Sequence, residues 1–382
     1  MRKTINIGDL GTIITGKTPP TTNKNYYGDY AVFIKPTDIS EQSKYTYETE
    51  EMYSKLAAEK YESSLIPKGA ICVPCIGTIG TKMTMTPCDC YTNQSINSII
   101  CNENYDNEYV YYLIKNFLPG LKAYNLGTAS GREYVSKSNF EKIELVAEQD
   151  QEIQKKIGII LSRYDSLIEN YQKQIKLLEE AAQRLYKEWF VDFHFPGHET
   201  TKIVYGVPEG WTPSQLGQLA EFKRGKTITK KDVIDGDIPV VAGGLEPAYY
   251  CNKSNTAERV ITISGSGANA GFTRMYFEKV WASDCSFVDA SVTPFLHFVY
   301  CYLKANKTTI DNMQKGAAQP HVYAKDINSL SICIPIESVL KSFEGTASKY
   351  FDTISSFQSQ IHLLTEARDR LLPKLMSGEI EI

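Results

Sequence analysis

Tyr171-Gln172-Lys173-Gln174-Ile175-Lys176-Leu177-Leu178-Glu179-Glu180-Ala181 decides the fold, because the chain carries it twice. It returns without a gap as Phe357-Gln358-Ser359-Gln360-Ile361-His362-Leu363-Leu364-Thr365-Glu366-Ala367, and the match runs on to Arg184-Leu185 over Arg370-Leu371. From Tyr164 and Tyr350 onward about half of the aligned positions are identical. Around the first copy Ile153, Ile157, Ile160, Tyr164, Leu167, Tyr171, Leu178 and Leu185 recur at steps of three and four, the seam of a coiled-coil helix. The run Gln151–Phe190 holds no proline, and at ~1.5 Å per residue it predicts a helix on the order of 60 Å long. In the second copy Phe343, Tyr350, Phe357, Leu364 and Leu371 fall every seventh residue. Two unrelated amphipathic helices also look alike through low complexity, but they do not carry one heptad phase through so long an ungapped match. Two matching seams pair, and antiparallel pairing sends the segments before them to opposite ends of a rod.

Those preceding segments match too, more faintly. Ile7-Gly8-Asp9-Leu10 with Thr15-Gly16-Lys17-Thr18 aligns, at the same spacing, with Leu216-Gly217-Gln218-Leu219 and Arg224-Gly225-Lys226-Thr227. Gly28-Asp29 before Ala31-Val32-Phe33-Ile34 resembles Gly236-Asp237 before Ile238-Pro239-Val240-Val241. Ala70-Ile71-Cys72-Val73 runs into Gly77-Thr78-Ile79-Gly80, and Val260-Ile261-Thr262-Ile263 into Gly265-Ser266-Gly267; both read as a short strand turning at glycine. A helix (Glu108 to Phe117; Pro294 to Lys304), a glycine loop (Gly127 to Arg132; Gly316 to His321) and a last strand follow in each. The chain is therefore α+β. Residues 1–148 form a first α/β module, 149–192 a central long helix, 193–211 a linker, 212–336 a second α/β module, and 337–382 a C-terminal helix and tail. The modules stand in tandem, and their helices form an antiparallel coiled coil with approximate two-fold symmetry.

A chain of 382 residues, 42% hydrophobic and 23% charged, has ample core for two or three domains of ordinary globular composition. Met1-Arg2-Lys3-Thr4-Ile5-Asn6 lacks the apolar stretch of a signal peptide, and no apolar run is long enough to span a bilayer. Nine cysteines without a secretory signal predict reduced thiols and a cytoplasmic location. The net charge of −4 argues mildly against nucleic acid. The acidic stretch Glu41 to Glu62 is assigned to solvent, and a partner subunit can supply phosphate contacts.

Gly11-Thr12-Ile13-Ile14-Thr15-Gly16-Lys17-Thr18 fits the phosphate-loop pattern. A working phosphate loop starts a helix at its Lys-Thr, whereas Pro19-Pro20 follow here and disfavour one. The repeat replaces the first glycine by Ala220, so what both copies share is a basic glycine turn. Cys72-x-x-Cys75 and Cys88-x-Cys90 have a zinc-like spacing, but residues three apart on a strand face opposite ways and the second module has no counterpart. His194-x-x-x-His198 is broken by Pro196-Gly197, and Gly265 to Gly271 misses the dinucleotide spacing. No catalytic triad, nuclease carboxylate cluster or methyltransferase loop is identifiable; no cofactor or metal is expected.

Basic and amide side chains gather on loops instead. Lys223, Arg224, Lys226, Lys230 and Lys231 crowd one turn of the second module, and Lys17 and Lys24 the matching turn of the first. With Thr18, Lys82, Arg132, Arg274, Gln319 and His321 they make the candidate DNA contacts, since such groups hold phosphates and read base edges. Charged loops are usually only solvated; it is the two-fold repetition that favours DNA, because two heads on a rod can touch two short sequences roughly 34 Å apart.

The helix ends Leu185-Tyr186-Lys187-Glu188-Trp189-Phe190-Val191-Asp192-Phe193 with Phe195-Pro196-Gly197, and Leu371-Leu372-Pro373-Lys374-Leu375-Met376-Ser377-Gly378-Glu379-Ile380, resemble the DNA-specificity subunit of type I restriction–modification enzymes. So do Gly16-Lys17-Thr18-Pro19, the Gly28-Asp29 turn and Gly316-Ala317-Ala318-Gln319-Pro320-His321. The resemblance covers nearly the whole chain. It implies a non-catalytic subunit whose two target-recognition domains each read half of a split target. The helices then set the spacing and hold two methyltransferase subunits, through Leu178, Leu185, Trp189, Phe190, Leu364, Leu371 and Leu375, and motor-nuclease subunits complete the complex. The chain departs from the family at Thr128-Ala129-Ser130-Gly131-Arg132, where Gln-Pro-His is common, and at Val146-Ala147-Glu148-Gln149, which lacks the usual proline. The competing readings are a coiled-coil scaffold without DNA and a nucleotide-binding enzyme using Lys17 and Thr18.

Overall fold

A computed structural model of the chain describes residues 1–127, 131–229, 231, 233–314 and 320–382. Ile71–Pro74 and Val260–Ser264 are buried along their whole length, as strands are when both faces are covered. Each is interior to a four-stranded antiparallel sheet. The first sheet is ordered Gly11–Thr15, Ile96–Cys101, Ile71–Pro74, Thr84–Met85, and the second Lys223–Arg224, Cys285–Asp289, Val260–Ser264, Thr273–Tyr276. A smaller sheet lies beside each. Ala31–Ile34 pairs antiparallel with Met52–Tyr53 and parallel with Tyr91–Thr92, just as Ile238–Val241 pairs with Tyr249–Cys251 and Trp281–Ala282. The entering and leaving strands close each module, Arg2–Asn6 on Glu144–Glu148 and Thr212–Gln215 on Ser331–Ile334. The faint sequence repeat is thus a repeat of the central sheet and its neighbour, to which the first module adds Tyr27–Gly28 beside Met52–Tyr53.

Strand alternation divides the side chains of Ile71–Pro74 between two cores. Ile71 and Val73 join a large cluster with Tyr109, Tyr112 and Phe140, while Cys72 joins Ile34, Ile66, Cys90 and Ile96. Cys75 belongs to the large cluster, so the sulfurs of Cys72 and Cys75 lie in different cores, and burial pushes both thiols up to about 12. Among the described residues no group of three or more His, Cys, Asp or Glu is placed to hold a metal, and no helix is long and apolar enough to cross a membrane.

Four helices carry the packing: α1 (Asn107–Phe117), α2 (Gln151–Phe190), α3 (Leu296–Ala305) and α4 (Glu337–Ser377). The chain forms two compact units, Met1–Tyr171 with Ser359–Ile382, and Gln172–Gln358. Each unit therefore holds one module and a stretch of both long helices. In the first, Ile157 and Leu161 of α2 share a core with Leu372, Leu375 and Met376 of α4. In the second, Ala182 and Tyr186 of α2 share a core with Phe343, Ala347, Phe351 and Ile354 of α4. Early α2 meets late α4, and late α2 meets early α4, which is antiparallel pairing in each unit.

The buried face of α2 keeps Ile157 of the expected seam and otherwise lies beside that seam. It runs through Gln154, Gly158, Leu161, Asp165, Ile168, Ala182 and Tyr186, whereas Leu167 is 48% exposed. The reason is that half of these positions are polar or small, so an apolar period cannot reveal them. Gly158 lets the start of α1 approach closely: a Cβ there would stand 2.8 Å from that of Glu108 and 3.1 Å from the Tyr109 nitrogen. The Gln154 carboxamide accepts from the Asp106 N–H at 2.9 Å and donates to the Glu148 carbonyl at 2.9 Å. Asp165 accepts from the Tyr112 hydroxyl and pairs with Arg368 of α4, both charges being buried. Burial opposes charge on Arg368, but Asp165 and Asp369 outweigh it and hold the guanidinium above its ordinary value. In the second unit the same faces are aromatic. Phe343 is fully buried with Phe190 at 5.0 Å, Trp189 at 5.9 Å and Phe298 at 6.2 Å between ring centroids.

In the linker 193–211 Phe195 and Trp211 form a buried cluster with Val339, and the hairpin Ile203–Val204/Val207–Pro208 carries Tyr205 fully exposed at its tip. The carboxylates of the stretch Glu41 to Glu62 are exposed or half-buried, as expected, while Lys44 and Thr46 between them are buried.

Removing one partner of a buried ion pair leaves an uncompensated charge. Arg368→Met should therefore cost about 3–5 kcal/mol, read as a lower urea midpoint of unfolding, and Asp165→Leu added to it should recover most of the loss. No recovery would show that mutual neutralisation is not what holds the pair.

Candidate nucleic-acid interface

The Gly-Lys-Thr turn shared by both modules has a backbone explanation. A Cβ on Gly16 would run into the Thr92 carbonyl oxygen, and one on Gly225 into that of Ser283; only glycine fits so close an approach. The next N–H donates across the same gap, Lys17 to the Thr92 carbonyl and Lys226 to the Ala282 carbonyl, each at 2.9 Å. The carbonyl of each lysine then accepts from an aromatic side chain: the Tyr53 hydroxyl at 2.6 Å, the Trp281 indole N–H at 2.7 Å. Both turns are fixed by their main chain, with the lysine side chains exposed. No helix begins at Lys17-Thr18, so the phosphate-loop geometry is absent.

Three other loops gather around each turn. In the first module the Thr18 hydroxyl donates to Gln94, the Cys75 N–H donates to the Ser95 carbonyl at 2.7 Å, and Ile76 bridges to Tyr134. In the second, Arg224 lies 3.8 Å from Asp284, the Ser266 hydroxyl donates to Asp284, the Gly265 N–H donates to the Asp284 carbonyl at 3.1 Å, and Ser266 bridges to His321. Arg224, Asp284, His321 and Tyr323 line one small cavity, with His321 stacked on Tyr323 at 5.9 Å. The structure thus brings together Lys17 and Thr18 in one module, and Arg224, Lys226 and His321 in the other. Sequence reasoning missed Gln94, Tyr134, Ser266 and Asp284. Tyr134 occupies the place of His321, a relation visible only once strand register is known.

The remaining candidates lie elsewhere. Lys24 is exposed on a short turn, Lys82 is half-buried ahead of Thr84–Met85, and Arg132 is exposed two residues before Tyr134. Arg274 is engaged with the Leu245 carbonyl at 2.9 Å, Glu246 at 3.0 Å and the Tyr276 ring at 4.9 Å. Lys230, Gln319 and the loop Thr128-Ala129-Ser130 lie outside the described residues. Of the residues expected to bind partner subunits, Leu178, Leu185, Trp189 and Phe190 pack on the second core, Leu371 packs on the first and Leu375 is buried in it, and Leu364 is half-buried. The exposed aliphatics of the helices are others. Leu177 and Leu363, 62% and 56% exposed, occupy the same position of the repeat.

Residues 2–180 and 208–369 match the family model of the type I restriction modification DNA specificity domain. The MjaIX specificity subunit of Methanocaldococcus jannaschii is 27% identical over 98% of this chain and 93% of its own length. The HindI specificity subunit of Haemophilus influenzae is 37% identical over 41% of this chain and 35% of its own. In fold, the chain resembles the crystal structure of the type I restriction–modification S subunit from M. genitalium, with a TM-score of 0.60 at 17% identity, covering 98% of this chain and 96% of that one. With family matches across both modules and most of both long helices, the chain belongs to the type I restriction–modification DNA specificity family.

Proposed function

We propose that each module reads one half of a split DNA target through its four-loop cluster, that the long helices fix the gap between the halves, and that methyltransferase and motor-nuclease chains carry out the chemistry. The observation that supports this most is the repetition of one rigid turn, with its exposed lysine, in both modules. Lys17 and Lys226 suit phosphate oxygens, while Gln94, Arg224, Asp284 and His321 have the donors and acceptors that discriminate base edges in the major groove. Aspartate accepts from cytosine and arginine donates to guanine, so an Arg224–Asp284 pair can open to either. Leu177 and Leu363 are the anchors for two copies of one partner chain, since equivalent sites on a repeat present equivalent surfaces.

The direct test is a map of methylated bases in the native host with and without this gene. One split motif should vanish; an unchanged map would refute the reading. Three variants test its parts. Arg224→Gln with Lys226→Gln should weaken DNA binding by the assembled complex at least about tenfold and lower its salt slope by about two, with assembly unchanged by gel filtration. One heptad inserted in each long helix, after Tyr171 and after Gln358, adds about 10 Å of helix and should lengthen the gap by about three base pairs without altering either half. Leu177→Asp with Leu363→Asp should abolish capture of the methyltransferase subunits while the melting temperature stays within about 2 °C, because exposed sites cost little.

A further inference from the structure

The outer edge of the first module's central sheet is covered by the chain itself. Tyr45 bridges in parallel to Met85, the Met85 N–H donates to the Lys44 carbonyl at 2.8 Å, and the Thr46 and Thr84 hydroxyls meet at 3.1 Å. The Lys44 side chain then turns inward. Its ammonium pairs with Glu108 and lies 5.0 and 5.1 Å from the Tyr111 and Tyr112 rings of α1. The segment that does this belongs to the seventeen-residue connection 35–51 between Ala31–Ile34 and Met52–Tyr53.

The corresponding edge of the second module carries no such bridge among the described residues; Arg274 reaches from it to the Leu245 carbonyl at 2.9 Å and to Glu246 at 3.0 Å. Register equates Met275 with Met85, since Met275 pairs with Ile261 as Met85 pairs with Ile71. Thr273–Tyr276 ends its sheet, and the connection that corresponds to 35–51 is only the seven residues 242–248, too short to lay a strand along it. A cleft of about 360 Å³ remains, lined among others by Thr273, Met275, Tyr300, Lys304, Phe351 and Gln358. Tyr300 and Lys304 hold the α3 positions of Tyr111 and Lys115 on α1, and Phe351 holds the repeat position of Asp165. The cleft therefore overlaps the space that Lys44 fills in the first module, sharing the walls at Met275 and Tyr300.

We infer that this cleft is a docking groove for an extended segment of another polypeptide, which adds a strand to the Thr273–Tyr276 edge and inserts one large apolar side chain against Tyr300, Phe351 and Ile354. Strand addition takes its affinity from main-chain hydrogen bonds and its selectivity from the pockets that receive alternate side chains. The pocket suits an apolar group because the charges that line it, Glu179, Glu246, Arg274 and Lys304, offset one another. Glu108 is replaced by His297, which is itself paired with Glu344 at 2.7 Å, and Asp165 by Phe351. The cations present are already matched, Arg274 by Glu246 at 3.0 Å, and Lys304 lies 5.7 Å from the Tyr300 ring. Glu179, which also lines the cleft, has its carboxyl held above its ordinary value by burial, against the opposing pull of Lys304 and Arg274.

The probe is a capped, fluorescent nonapeptide of residues 41–49 carrying Lys44→Leu, titrated against the full chain by anisotropy. Saturable binding is expected, about tenfold tighter than that of the parent peptide with lysine, which corresponds to about 1.4 kcal/mol. Gln358→Trp, which fills the cleft from an exposed helix position, should weaken it by a similar factor with unchanged circular dichroism and unfolding midpoint. Leu245→Asp on the opposite wall serves the same purpose should the tryptophan disturb α4. The inference is overturned if the leucine peptide does not bind saturably, binds no better than the lysine peptide, or binds the cleft variants as well as the native chain. None of these outcomes bears on DNA reading or subunit assembly.

Discussion

A helix of forty residues with one apolar face is stable in water only while that face is covered. This constraint organises the rest of the chain. Neither α2 nor α4 is covered by the other alone; in each unit a module helix and the underside of a sheet complete the core. Two helices of equal length and phase need two covers of equal shape. The central sheets and their backing helices accordingly repeat, whereas the connections differ in length and sequence.

The two covers solve the same problem with different chemistry. The first unit places Gly158, Asp165 and Arg368 where the second has Glu344, Phe351 and Ala182. Capping of the module helix shows the exchange. At the start of α1 the Asp106 side chain accepts from the Tyr109 N–H, and Gly158 leaves room for it. At the start of α3 no residue of the module caps, and Glu344 reaches from α4 to accept from the Phe298 N–H at 2.8 Å. The orphan N–H groups of a helix start must be satisfied, but the carboxylate can come from either side. A buried ion pair such as Asp165–Arg368 adds little net stability against an apolar substitute. It does restrict which stretch of helix is accepted opposite it, because a charge facing anything but its partner is costly.

How far the sequence discloses this depends on what kind of interaction is involved. The long helices, their duplication and the order of elements are legible because they rest on apolar periodicity and on glycine spacing. The buried face lies beside the expected seam because Gln154, Gly158 and Asp165 occupy it, and a polar residue buried against a polar partner carries no periodic signal. The Gly-Lys-Thr turn is legible as a motif but not in its meaning: its glycine answers to a carbonyl oxygen across the sheet rather than to phosphate. Tyr134 in the place of His321, and Lys44 within an acidic stretch, depend on strand register and on the length of one connection. Neither is encoded locally.

Net charge is a poor guide to this surface. The chain carries −4 overall, yet many carboxylates are spent along the helices in pairs four residues apart, such as Glu180 with Arg184, Glu337 with Lys341 and Glu366 with Arg370. Lys17 and Lys226 make no ion pair among the described residues. At physiological salt, interactions between exposed charges fade beyond about 8 Å, so a phosphate beside either turn responds to that turn and hardly to the helices. The backbone hydrogen bonds on each side of both lysines fix the turn. Ordering a loop on binding subtracts from affinity, and a turn already fixed avoids that loss. In the proposed function such a turn would let a small number of cations suffice in an acidic protein, with the neighbouring side chains left to vary.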